Sequence, residues 1–173
     1  TTVFRVSGGR GQKTANIFAE NNGILASART WIIEGDDSDK PYGLNPEIAW
    51  NYGASFTQEF SLWNRSGLFT IDVFRTDFIN QIVVDLDNNT QEVRLYNLDG
   101  QSYSNSFQVQ LDYEVIKRFD VRMAYRLFDV KTTYKKGLLE KPLISAHRAF
   151  VNLAYETASL WSFDYTVNFQ GSK

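Results

Sequence analysis

Few residues in this sequence have the means to do chemistry, and they are scattered. With no cysteine and a single histidine, His147, thiol catalysis, thiolate metal sites and disulfides are excluded. Ser145 precedes His147 by two positions, which invites a nucleophile–base reading. No nucleophile elbow and no third orienting residue accompany the pair, so His147 reads as a residue at the start of a strand. Gly8-Gly9-Arg10-Gly11 lacks the Lys-Ser/Thr and the following helix of a phosphate cradle, and reads as a flexible strand end. Asp36-Asp37-Ser38-Asp39 and the set Asp85, Asp87, Asn89 are candidate calcium loops. The second mimics an EF-hand opening but has Thr90 where Gly is required and Tyr96 where a bidentate Glu belongs, so both read as solvated loop carboxylates. The sequence therefore predicts no catalytic residue, no cofactor-binding residue and no metal site, and the chain is not expected to be an enzyme.

The other ionisable residues of interest are Glu59, Asp72, Asp112, Glu114, Arg122, Arg126, Arg148 and Glu156. They sit inside segments whose hydrophobic period is two, the signature of β-strands with chemically distinct faces. Trp50, Tyr52, Ala54, Phe56, Gln58, Phe60 and Leu62 alternate with Asn51, Gly53, Ser55, Thr57, Glu59 and Ser61. Phe107 to Val115, Val121 to Leu127, Ala149 to Tyr155 and Phe163 to Phe169 repeat the pattern. In these segments the apolar row carries no charge, and Gln58 is its one exception. Between 68 and 87 the apolar parity switches from Phe69, Ile71, Val73 to Phe74 and Phe78, which predicts a bulge at Val73 and Phe74.

About seven antiparallel strands follow, near 1–7, 47–63, 67–87, 91–116, 119–134, 146–157 and 160–171. Tight turns are expected at Asn64-Arg65-Ser66-Gly67, Lys117-Arg118-Phe119 and Thr157-Ala158-Ser159, with longer connections at 8–46, 87–90 and 135–146. Charged residues have even numbers on both sides of the 117–119 turn. Paired numbers must then sum to an even value, which needs an odd-length turn or a bulge; a three-residue turn centred on Arg118 places Glu114 opposite Arg122.

A soluble sheet with one wet and one dry face would show the same alternation, so a lipocalin-like barrel binding an apolar ligand stands as the alternative. Strand length favours lipid: segments of 15 or more residues exceed the usual soluble strand, and a bilayer core needs about 9 to 11 tilted residues. Short turns at one end and long loops at the other favour it too. Trp50, Trp63, Phe119, Tyr155 and Trp161, near strand ends, suit interfacial girdles. Seven strands leave two open edges, costly in lipid, so a segment of a larger barrel is expected. The 18 Lys+Arg and 20 Asp+Glu give a net charge of -2, which supplies no field for nucleic acid.

Gly9-Arg10-Gly11-Gln12-Lys13-Thr14-Ala15-Asn16-Ile17-Phe18-Ala19-Glu20-Asn21 resembles the strand-to-loop signature of TonB-dependent outer-membrane receptors, particularly those of Bacteroidetes-type bacteria. Leu44-Asn45-Pro46-Glu47 with Ala49-Trp50-Asn51-Tyr52-Gly53 is similar to the start of a long barrel strand in that family. Phe74-Arg75-Thr76-Asp77-Phe78, Tyr103-Ser104-Asn105-Ser106-Phe107 and Leu139-Glu140-Lys141-Pro142 through His147-Arg148 extend the likeness over essentially the whole sequence. The resemblance implies an all-β fold, an antiparallel transmembrane β-barrel segment of about seven strands from a larger barrel of about 22, in the bacterial outer membrane. Residues 1–173 would be the later part of that barrel domain, without its plug or TonB box. The implied partners are outer-membrane lipid, the plug and remaining strands, TonB acting through the plug, and a scarce small-molecule ligand such as an iron chelate, cobalamin or a glycan. The eight charged residues above would face the lumen, meeting water, one another, the plug or the ligand, and loops 8–46 and 135–146 would help form the ligand entrance.

Overall fold

A computed structural model describes residues 1–86, 88–134, 137–140 and 144–172. Asp87, Lys135, Lys136, Lys141-Pro142-Leu143 and Lys173 lie outside the described residues, so the candidate calcium set around Asp87 and part of the 135–146 connection are not placed. The strands are β1 (Thr2–Lys13), β2 (Thr30–Glu34), β3 (Glu47–Leu62), β4 (Arg65–Ile79), β5 (Ile82–Asp85), β6 (Glu92–Asn97), β7 (Ser102–Ile116), β8 (Phe119–Tyr134), β9 (Gly137–Glu140), β10 (His147–Glu156) and β11 (Ser162–Gln170). The large sheet runs β1-β3-β4-β7-β8-β10-β11, every pair antiparallel, with β9 paired to the end of β8.

Two expected strands are divided. The 67–87 and 91–116 segments leave the large sheet at Ile79 and rejoin it at Ser102, and between them β5 and β6 build a second sheet with β2, in the order β2-β6-β5. β2 lies parallel to β6, joining the 14–46 connection to the 80–101 excursion as one cap. The physical reason is solvent: Val83, Val93 and Leu95 are buried, which the open faces of the large sheet cannot offer. Val93 and Leu95 form one core with Ala15, Ile17 and Leu44, round which Ile24, Trp31, Ile33, Ile82, Val84 and Leu86 pack, while Val83 is buried on the other side of β5. Fully burying each of Ile17, Leu44, Val93 and Leu95 contributes roughly 1.5–3 kcal/mol.

β1 is longer than expected. Gly8-Gly9-Arg10-Gly11 is regular strand, paired with Tyr52, Asn51, Trp50 and Ala49, rather than a loose end. The first tight turn also moves: Trp63 and Asn64, at φ 49° and 60°, form a two-residue connection between paired Leu62 and Arg65, the left-handed geometry that matches strand twist. The expected bulge at Val73 and Phe74 is absent, because β4 keeps one register with both β3 and β7 through these positions. A bulge lies instead between Glu114 and Ile116, which satisfies the parity at the next turn. Glu114 there stands opposite Asp120, and Arg122 opposite Asp112, so the Glu114–Arg122 pairing is two positions out of register. No helix among the described residues is long and apolar enough to cross a membrane.

Candidate functional site

Antiparallel register fixes which residues share a face. Phe4, Phe56, Ile71, Val109, Tyr125 and Ala149 fall in one row on what we call the aromatic face. On the opposite, polar face a single row crosses all seven strands: Arg5, Ser55, Asp72, Gln108, Arg126, Arg148 and Gln170, each the direct cross-strand partner of the next. All eight charged residues singled out by sequence lie on this polar face. Sequence reasoning missed Arg5, Gln108 and Gln170; their signal was the strand parity, which needed the registers to be read across strands.

The structure pairs some of the eight and not others. Ser55 Oγ donates to Asp72 at 2.5 Å. The Arg122 guanidinium donates to Asp112, which also accepts from Gln110 at 2.7 Å. Glu114 takes Arg65 at 3.4 Å and the Arg118 backbone N–H at 3.1 Å. Arg126 Nε donates to Gln108 Oε1 at 2.7 Å. Glu59 stands at the β1 edge opposite Leu68, and Glu156 ends β10 opposite Ser162. The Arg148 side chain makes no hydrogen bond or ion pair with any described residue.

The aromatic face is not free of charge. Without a bulge in β4, Arg75 and Asp77 project from the same face as Tyr52 and Trp50, correcting the expectation that charges keep to the other side. The change is abrupt along the strands. One row reads Val6, Ala54, Val73, Phe107, Leu127; the next on that face reads Gly8, Tyr52, Arg75, Asn105, Asp129. From Tyr52 to Asp129 the second row is joined by side-chain hydrogen bonds, in part through Asp77 of the row beyond. Arg75 Nη2 reaches Asp77 at 2.6 Å and Nη1 reaches Asn105 at 3.1 Å, Asn105 donates to Asp129 at 3.1 Å, and Tyr52 donates to Asp77 at 2.6 Å. The Arg75 guanidinium also sits 4.5 Å from the Tyr103 ring centre.

Below that boundary the apolar stretch occupies positions 54–62 of β3 and 119–127 of β8, nine residues each, or about 26 Å of strand. Its far end is aromatic. Phe60 stacks on Tyr113 at 6.0 Å, Phe119 meets Tyr155 edge-on at 6.3 Å, and Trp63 and Trp161 stand in the turns, 83% and 69% exposed. The Gln58 exception is satisfied locally by the Thr2 hydroxyl and the Glu59 carbonyl, both at 2.5 Å.

The remaining candidates are structural. Ser145 is buried, and its hydroxyl donates to the carbonyls of His147 and Gly171, each at 2.9 Å, while His147 Nδ1 contacts the Tyr125 hydroxyl at 2.6 Å. The two form no nucleophile–base dyad. In the acidic run, the Lys40 ammonium 2.7 Å from Asp37, helped by the Asp39 N–H, holds the Asp37 carboxyl below its ordinary pKa range and takes the place a cation would need. Among the described residues no group of three or more His, Asp or Glu is placed to hold a metal.

The residues resembling a family signature are the ones that seat the cap on the sheet. Lys13 ties Glu20 at 2.6 Å and Glu47 at 3.3 Å, Glu47 accepts the Ile82 N–H at 2.8 Å, and Ile17 and Leu44 fill the cap core.

A family model described as TonB dependent receptor-like, beta-barrel matches residues 1–172. No curated protein and no solved structure matches the chain.

Proposed function

From the premise that this chain belongs to the TonB-dependent receptor-like β-barrel family, outer-membrane proteins of Gram-negative bacteria, we propose that its meander is a run of barrel wall enclosing a ligand pathway. The aromatic face meets lipid, and the polar face lines a lumen shared with a plug. Edges β1 and β11 pair with further strands of the barrel, since an unpaired edge in lipid leaves backbone donors and acceptors unsatisfied. Family members are transporters rather than enzymes. The ligand is a scarce small molecule in the class of iron chelates, cobalamin or glycans, and TonB acts on the receptor through the plug. The cap built from 14–46 and 80–101 stands at the ligand entrance, with the charged row at Arg75 and Asn105 marking the nearer lipid–water boundary.

One observation carries this reading: a seven-strand polar row on one face lies back to back with a nine-residue apolar stretch on the other. A wall with different solvents on its two sides requires that division. The soluble alternative would turn the aromatic face inward around an apolar ligand. Site-directed spin labelling separates the two. The chain has no cysteine, so Gln108→Cys, Asn168→Cys, Val109→Cys and Leu111→Cys each give a single site within it. In the full receptor in outer-membrane vesicles, labels at 108 and 168 are expected to collide with a water-soluble relaxant and those at 109 and 111 with oxygen dissolved in lipid. The reverse pattern, or uniform shielding at 109 and 111, would overturn the assignment.

A further inference from the structure

We propose that Arg126 and Arg148 form a binding site for an oxyanion, a carboxylate or phosphate group entering from the polar side. The two arginines are direct cross-strand partners on β8 and β10, a placement in which like charges repel. Elsewhere on the face such repulsion is relieved: Arg122 faces Asp112, and Glu114, although opposite Asp120, has Arg65 beside it. At 126 and 148 no carboxylate among the described residues relieves it. Their neighbours along the row are the amides of Gln108 and Gln170, and the row's one carboxylate, Asp72, lies beyond Gln108 and holds the Ser55 hydroxyl.

The surroundings fit an anion. Gln108 Oε1 accepts from both Nε and Nη2 of Arg126, which steadies the guanidinium and leaves its Nη1 side open. The Arg148 guanidinium has no hydrogen-bond or ion-pair partner among the described residues. Both arginines, with Gln108, Asn168, Gln170 and Phe150, line a concavity of about 540 Å³. The Arg148 fork and the remaining Nη1–Nη2 edge of Arg126 offer the N–H groups that a planar carboxylate or a phosphate accepts, and the amides of Asn168 and Gln170 line the same concavity. The anion has two possible sources with one chemistry: a carboxylate of the same polypeptide inside the barrel, or a diffusible oxyanion in transit. The proposal rests on the polar face being the lumen wall, and that reading fails separately, in the spin-label experiment.

The test uses the full receptor in detergent, with phenylglyoxal as the arginine reagent, citrate as the anion probe, and exposed Arg118 in the β7–β8 turn as the reference. A diffusible anion predicts that citrate at ten times its dissociation constant slows modification of Arg126 and Arg148 about tenfold while Arg118 is unaffected. An internal carboxylate predicts slow modification without citrate. In that case a carbodiimide applied to the Arg148→Lys variant would join the new amine to an acidic residue elsewhere in the polypeptide, identified by mass spectrometry. If Arg126 and Arg148 react as fast as Arg118 with and without citrate, and Arg148→Lys gives no cross-link while keeping its heat-modifiable mobility, the site does not exist.

Discussion

Asn45 and Asn97 hold each other by two hydrogen bonds: the Asn45 N–H donates to Asn97 Oδ1 at 2.7 Å, and Asn97 Nδ2 donates to the Asn45 carbonyl at 3.0 Å. The same Nδ2 donates to the Asn80 carbonyl at 2.8 Å. One side chain at the end of β6 thus fastens the start of β3 and the exit of β4 to the cap.

Asn97→Ala leaves those backbone groups without their partner in a partly buried place, at a cost of about 1–3 kcal/mol. The loss falls on the cap, whose contacts with the large sheet are few. Hydrogen exchange at the β5 and β6 amides is expected to speed up while the β7 and β8 amides keep their protection. Equal acceleration in all four strands would show that cap and sheet unfold together.

Gly53→Ala is expected to destabilise the sheet. A Cβ at position 53 would lie 2.3 Å from the Val73 carbonyl oxygen and 2.4 Å from the Phe74 ring, and the backbone contact cannot be relieved by turning the ring. Overpacking of this kind costs about 1–3 kcal/mol. Urea unfolding of the receptor in lipid, followed by tryptophan fluorescence, measures it; an unchanged midpoint would mean that β3 and β4 separate locally without cost.

Two neighbouring positions report the two faces by stability alone. Leu111→Arg puts a cation in the middle of the apolar stretch, where such a change costs about 2–4 kcal/mol, while Gln110→Arg on the polar face should cost under about 1 kcal/mol. The same unfolding assay applies. Equal losses at 110 and 111 would count against a lipid-facing aromatic side.

The Asp112–Arg122 pair is worth little despite its close contact. The arginine side chain is 56% exposed, and a solvated pair of this kind contributes about 0.2–1 kcal/mol that salt screens. A double-mutant cycle on Asp112→Asn and Arg122→Gln, run at low and high salt, should show a small coupling that shrinks further at high salt. A coupling above about 2 kcal/mol, unaffected by salt, would mean that the lumen excludes water from this pair.

How far the sequence could be read depended on the range of the interactions involved. Strand alternation is a property of the chain itself, because successive side chains leave a strand on opposite sides. Trp50 to Leu62 or Phe107 to Tyr113 therefore disclosed two unlike faces, one aromatic and apolar and the other polar. The sites of Glu59, Asp72, Asp112, Glu114, Arg122, Arg126, Arg148 and Glu156 on one side followed from the same parity. The family signature was legible as well, and Lys13, Ile17, Leu44 and Glu47, which lie within the segments that carried it, build the junction between cap and sheet.

Register and partnership were decided only in three dimensions. A switch of apolar parity at Val73 and Phe74 looks like a bulge locally, yet β3 and β7 hold β4 in unbroken register on both sides, and Arg75 and Asp77 are thereby carried to the aromatic face. Whether Arg122 meets Glu114 or Asp112 turned on a bulge of one residue beside a turn. Val93 and Leu95 alternate like residues of a barrel strand, but their burial depends on β2, distant along the chain, arriving parallel to β6 with Trp31 opposite Val93 and Ile33 opposite Leu95. The sequence by itself determined the period and the chemistry of each face; the tertiary structure decided which side chains became neighbours, because cross-strand pairing brings together residues whose separation along the chain leaves no local trace.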